Sequence, residues 1–220
     1  MRIMIHAVPR RMWYVEEFLI PALEAQGAGD IRVWLDNQGR GNLRSCVESF
    51  ASLPEEGGTW HLQDDALVCR DFVKRALALE PDNGLVYGFC SKQFSDILEL
   101  RGRVYMADAW HSFLCVRIPN AWAREFAGWI DTEAAQRPDL MGYVRMNRCD
   151  DYLFTEFCAE RHATETAYNA WPCLAEHVDM LIGGSVVNEW RGYWVRAEAF
   201  ADPDLTDALA EEMKKRRGSL

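Results

Sequence analysis

The sequence predicts an α/β fold, a mixed and mostly parallel central sheet flanked by helices in a single domain. Three strand-then-helix alternations in the first eighty residues carry that prediction, because such alternation lays parallel strands side by side with helices on the sheet faces. The composition agrees with it. Hydrophobic residues make up 49% and charged residues 26% of the 220 positions, with no repeat or low-complexity tract to mark a boundary.

Arg2 to Val8 reads as a buried first strand, and Met12 to Gln26 as a helix with apolar positions at Val15, Phe18, Leu19 and Leu23, ended by Gly27. Ile31 to Leu35 gives the second strand. The turn-rich DNQGRGN follows, with Asn42 placed to cap a helix through about Leu53. The third unit is the stretch Thr59 to Phe72, in which a hydrophobic run stops on Asp64 and Asp65, followed by a helix from about Cys69 to Leu79. Leu85 to Phe89 is a fourth strand and Val104 to Ala107 a fifth. HSFLCVRIP reads as a further strand with His111 and Ser112 near its start, and Asn120 as the cap of a helix whose Trp122, Phe126 and Trp129 stripe faces the core. Gly142 to Arg148 is ambiguous, Asp151 to Arg161 is helical, and Thr166 to Trp171 is a strand ahead of the turn at Pro172. Residues 1–201 form the globular unit, and residues 202–220 a charged C-terminal helix with Pro203 in its first turn.

The formal net charge of -10 disfavours non-specific attraction to nucleic acid or to an anionic membrane, although a local basic groove is compatible with it. No apolar run approaches the ~18–20 residues that span a bilayer, and the N-terminal run is broken by His6 and Pro9, so a cytoplasmic location is expected. The seven widely spaced cysteines contain no C-x-x-C pair and read as reduced, mostly buried residues.

Ligands of such sheets gather at the C-terminal edges of the strands, which here carry His6, Val8, Arg10 and Arg11, then Asp36 to Asn42, then Gln63 to Asp65. Two buried carboxylates in sequence repel each other and call for a cation. A hard divalent metal holding a diphosphate meets that need, and capping of the following helix is the alternative account. A second pair, Asp150 and Asp151, opens a helix about eighty-five positions later and has the same two accounts. Arg10 and Arg11 suit phosphate oxygens, or are ordinary surface arginines. His177 is a metal-ligand candidate or a hydrogen-bonded histidine. Gly183 and Gly184 allow close backbone approach but form no phosphate-binding fingerprint.

Three blocks in order carry a family resemblance: HLQDDALVCRDF, DDYLFTEFC and PCLAEHV, with SFLCVRIPNAWAREFAGWI between the first two. Together, over roughly Met1 to Glu189, they resemble the GT-A type glycosyltransferases, the nucleotide-diphospho-sugar transferase fold, in the compact versions of bacterial and phage genomes. The resemblance implies Asp65 as principal metal ligand and His177 as its helper, with Mn²⁺ or Mg²⁺ as the cofactor. It implies Asp64 beside the ribose or metal, and Asp36 near the nucleoside, where a turn-forming Asp is the alternative. His6, Val8, Arg10, Arg11 and Asn42 lie on the same donor edge, and Asp150 or Asp151 becomes the acceptor-side base. Gln63 departs from the family, which commonly has an acidic residue there. The implied activity is transfer of a sugar from a nucleotide-diphosphate sugar, a UDP-sugar, to a glycan precursor, a protein or a modified phage DNA base. An Mg²⁺-dependent nucleotidyltransferase and a non-catalytic nucleotide-sugar or partner-binding module are the alternatives; the first is expected to carry a glycine-rich loop, which HAVPRRMW lacks.

Overall fold

A computed structural model describes residues 1–79, 84–89, 102–105, 113–147, 149–184, 196–197 and 199–218. His111 and Ser112 lie outside these residues. Among the described residues, the protein is a mixed α/β domain around a seven-stranded sheet. Its strands are β1 (Arg2–Ala7), β2 (Asp30–Leu35), β3 (Gly58–Gln63), β5 (Leu85–Tyr87), β6 (Gly102–Tyr105), β7 (Cys115–Pro119) and β8 (Thr166–Asn169). They lie in the order β2-β1-β3-β7-β5-β8-β6. β1 is parallel to both β2 and β3, β7 is antiparallel to β3 and β5, β8 is parallel to β5, and β6 is antiparallel to β8. Among the described strands, only β7 and β6 therefore run against the common direction. A small second sheet pairs β4 (Ala66–Val68) with β9 (Ala175–His177), antiparallel.

The sheet is covered on both faces, and β1 shows how its alternation serves them. Ile3, Ile5 and Ala7 pack with Trp60 and Leu62 against Tyr14, Leu19 and Phe72. Those three come from a helix that runs through α1 (Met12–Tyr14), a π-helical turn Val15–Leu19 and α2 (Ile20–Glu24), and from α4 (Phe72–Leu79). Met4 points the other way, into a layer with Val116, Ile118, Phe50, Phe126, Phe154 and Phe157. The helices of that layer are α3 (Asn42–Ala51), α5 (Asn120–Thr132) and α7 (Asp150–Arg161), with the short α6 (Met141–Met146) ahead of α7. The aromatic stripe of α5 is core, with Trp122, Phe126 and Trp129 all buried. α8 (Asp179–Ile182) follows β9, and α9 (Pro203–Gly218) closes the chain, sinking Leu209 and Met213 into the first layer. No helix among the described residues is long and apolar enough to cross a membrane.

Several local expectations change. Asn42 and Asn120 are the first helical residues, preceded by Gly41 and Pro119 at the caps, and neither cap makes a side-chain capping bond. The Asn120 amide instead ties the layers together, accepting from Thr59 Oγ1 at 2.8 Å and donating to the Glu56 carbonyl at 2.7 Å. Asp64 and Asp65 do not cap a helix. The chain turns at them into β4, and α4 begins only at Phe72.

Gly88 links the sheet to the second sheet. A Cβ on it would meet Cys115 Sγ at 2.3 Å, while its carbonyl accepts from Leu174 N at 2.7 Å and from Ala175 N at 3.2 Å. Gly88→Ala is expected to cost about 1–3 kcal/mol by overpacking a closed layer, read as a lowered urea midpoint at unchanged slope.

Candidate functional site

The C-terminal edge of the parallel strands is where the chain departs from regular structure. β1 ends at Ala7 and runs into a 3₁₀ turn, Pro9–Arg11, that folds Arg11 back over the sheet end. β3 ends at Gln63, and Asp64 N donates to the His6 carbonyl at 3.0 Å, holding the acidic turn against β1. The Asp64 carboxylate accepts from Val8 N at 2.8 Å through Oδ2 and from Arg11 Nη1 at 2.8 Å through Oδ1. Arg11 Nη1 also donates to Asp65 Oδ2. The cation that the acidic pair requires is thus supplied from within the chain.

The antiparallel register of β4 and β9 puts Ala66 opposite His177. That pairing carries the imidazole to Asp65, with His177 Nε2 3.1 Å from Asp65 Oδ2. On its other side, His177 Nδ1 is 3.6 Å from Asp179 Oδ1. Asp65, His177 and Asp179 can each offer one ligand atom within 4.8 Å of the other two. Two carboxylates and an imidazole are a donor set that Mn²⁺ or Mg²⁺ accepts. A second observation supports the fit: Asp65 Oδ1 is buried and has no hydrogen-bond partner among the described residues. An orphaned carboxylate oxygen is costly, and a ligand there removes the cost.

Burial pushes the Asp64 carboxyl up to about 6, with the Asp65 charge adding to it against the opposing Arg11 guanidinium and Val8 N–H. Burial acts the same way on Asp65, but the charges of His177 and Arg11 outweigh it and hold that carboxyl well below the usual range. The two neighbours are driven apart: Asp65 stays ionised across the working range, whereas Asp64 takes up a proton as pH falls through about 6.

His6 turns to the opposite face of the sheet. Its Nε2 is 2.9 Å from His61 Nδ1, its ring packs edge-on against Phe50, and burial lowers its pKa to about 4. Arg10 is exposed and reaches the Gly184 carbonyl at 3.4 Å. Asp36 organises its own loop, Oδ1 accepting from Arg40 N at 2.8 Å and Oδ2 from Gly41 N at 3.0 Å. Asn42 opens α3 at the end of that loop.

Asp150 and Asp151 are the acidic residues of the first turn of α7, where a negative charge such as that of Asp151 is favourable. Asn147, in the left-handed region at φ 54°, clamps this helix start to the loop after β2. Its Oδ1 accepts from Arg44 N at 2.7 Å, and its Nδ2 donates to the Arg40 carbonyl. Gly41 must be glycine here: its φ is +86°, and a Cβ would meet Asn147 Nδ2 at 2.5 Å. The clamp brings the second acidic pair to the Asp36–Asn42 side of the sheet edge. Asp151 Oδ1 accepts from Tyr152 N at 2.8 Å. Asp150 is buried, and that burial, with the Asp151 charge, pushes its carboxyl up to about 7.

The structure therefore gathers Arg11, Asp64, Asp65 and His177 in one contact network, places Val8 in it through its backbone, and adds Asp179. Asp179 escaped sequence reading because a lone Asp two residues after His177 has no periodic or motif signal. No protein-family model matches the chain, and no curated protein matches it.

Proposed function

We propose that the protein is a metal-dependent glycosyltransferase that takes a sugar from a nucleotide-diphosphate sugar, a UDP-sugar, and passes it to a hydroxyl acceptor. The observation that carries this reading is the Asp65–His177–Asp179 group with its orphaned Asp65 oxygen, set at the C-terminal edge of the parallel strands. Ligands of open α/β sheets bind at that edge. The resemblance of the HLQDDALVCRDF, DDYLFTEFC and PCLAEHV blocks to GT-A enzymes supplies the reaction class.

When bound, Mn²⁺ or Mg²⁺ would supply charge neutralisation for a diphosphate leaving group. Asp65 and His177 would hold it, with Asp179 as the third ligand and Asp64 at its margin. Arg10, exposed at the rim, would meet phosphate oxygens through its guanidinium. Asp150 is the residue we assign as base toward the acceptor hydroxyl, since a carboxyl poised near neutral pH both takes and holds a proton in the working range. The acceptor is a glycan precursor, a protein or a modified DNA base.

Thermal melts with UDP, GDP and CTP, each with and without Mn²⁺, test the reading. One nucleotide, expected to be UDP, raises Tm only when Mn²⁺ is present. Absence of any metal-dependent shift favours the other account that the geometry permits, a structural ion-pair network in which Arg11 is the permanent partner of the acidic pair.

A further inference from the structure

The Arg11 guanidinium stands where the acidic pair meets the backbone at Gly184. Its Nη1 serves Asp64 Oδ1 and Asp65 Oδ2, and its Nη2 donates to the Gly184 carbonyl at 2.6 Å. The residue is buried, at 4% exposure, and its Nε has no hydrogen-bond partner among the described residues. A cation in this place does what a metal would do there, damping the repulsion between Asp64 and Asp65. It also loads one oxygen of Asp65 heavily. Oδ2 is shared by Arg11 Nη1 and His177 Nε2, while Oδ1 has neither.

A divalent ion held by Asp65, His177 and Asp179 would sit within a few ångströms of that guanidinium, and positive charges this close in a dry site repel strongly. The guanidinium fork is also a natural partner for phosphate, and the Nε–H is a donor in reserve. We propose that Arg11 is an internal counter-ion that competes with the divalent metal for Asp65, so that metal and nucleotide diphosphate bind tightly only together. As the metal enters, the guanidinium passes from Asp65 to the phosphate oxygens. This rests on the metal and diphosphate reading of the site, and it adds the residue that couples the two ligands. Coupling of this kind is reciprocal: UDP tightens Mn²⁺ by the factor by which Mn²⁺ tightens UDP.

The test measures Mn²⁺ binding to the full chain by electron paramagnetic resonance, with MnCl₂ alone and with saturating UDP, corrected for Mn²⁺–UDP complexes in solution. In the wild-type protein, UDP is expected to tighten Mn²⁺ at least tenfold. Removing Arg11 alone would leave two buried carboxylates uncompensated, so the variant is Arg11→Met with Asp64→Asn, in which the charges stay balanced and the new side-chain amide keeps an acceptor for Val8 N–H. This variant is expected to bind Mn²⁺ alone at least tenfold more tightly than wild type, with the gain from UDP reduced below threefold. Arg11→Lys, which keeps the charge, is expected to retain most of that gain. Asp179→Asn in the double-variant background is expected to abolish the tightened binding. The proposal is overturned if the charge-balanced variant keeps its far-UV circular dichroism and cooperative melt yet binds Mn²⁺ no more tightly than wild type. It is equally overturned if that variant keeps the full UDP gain. Should the variant not fold, the wild-type comparison decides, and equal Mn²⁺ affinity with and without UDP overturns the proposal. Tighter Mn²⁺ binding by the variant with no UDP binding by either protein supports the competition at Asp65 while removing the nucleotide reading.

Discussion

Asp65→Asn is expected to abolish the Mn²⁺-dependent part of the nucleotide-induced rise in Tm. The substitution keeps the shape of the side chain and removes the charge that His177 and Arg11 hold in place. If Asp65 holds the ion as proposed, its loss should weaken Mn²⁺ by at least about 100-fold, more than the ~10–100-fold typical when a residue behind the ligands is lost. The metal-free protein is also expected to lose about 1–3 kcal/mol, since Arg11 and His177 lose a charged acceptor while Asp64 still answers the guanidinium. Calorimetric titration with MnCl₂ and melts in EDTA separate the two effects. Unchanged Mn²⁺ affinity in a folded Asp65→Asn protein would sink the assignment of Asp65 as principal ligand.

Asp150→Asn should change both the pH dependence of stability and the chemistry. The folded protein holds the Asp150 proton up to about pH 7, whereas an unfolded chain releases it near the ordinary value of 3.8. Between those values the native state binds more protons than the unfolded state, so this group's contribution falls as pH rises through the window and is flat above it. At about 1.4 kcal/mol per pH unit, the loss is on the order of a few kcal/mol. Asp150→Asn is therefore expected to raise Tm more at about pH 8 than at about pH 5, measured by calorimetry across that range. If Asp150 is the base, the same variant loses ~10²–10⁴ in turnover while UDP and Mn²⁺ still bind, and wild-type activity rises through about pH 7. A Tm difference between variant and wild type that does not vary with pH would show that Asp150 ionises normally in the folded state. Full activity in the variant would move the role of base to Asp151.

The strand and helix alternation was legible because it is local. Apolar runs such as RIMIHA and the spacing of Trp122, Phe126 and Trp129 on neighbouring helical turns declare which face is buried, whatever they pack against. Asp64 and Asp65 were equally legible as a pair at a strand end. Their purpose was not, because the sequence gives no sign that the three residues after them, Ala66–Val68, form a strand. A strand that short has no periodicity, and its partner Ala175–His177 lies more than a hundred positions away. The helix caps differ from the pattern of their side chains for a related reason. Asn42 and Asn120 have side chains suited to capping, but the positions of the helix starts are set by Gly41 at a positive φ and by the backbone at Pro119. Neither is a property of the Asn itself.

The sequence by itself determined the α/β class, the sheet edge at which Val8, Asp36 and Asp64 collect, and the presence of two acidic pairs. Those follow from local hydrophobic patterning and from the rule that loops at the ends of parallel strands share one side. Only the tertiary structure decided that Arg11 answers both carboxylates, that His177 crosses 112 positions to reach Asp65, and that Asp179 joins them. Buried charges choose their partners by distance in three dimensions, within a few ångströms and under the demand that each polar atom be satisfied. That demand is enforced by the packed layers around the site, so the chain order offered Arg11 and His177 only as candidates and carried no signal for Asp179.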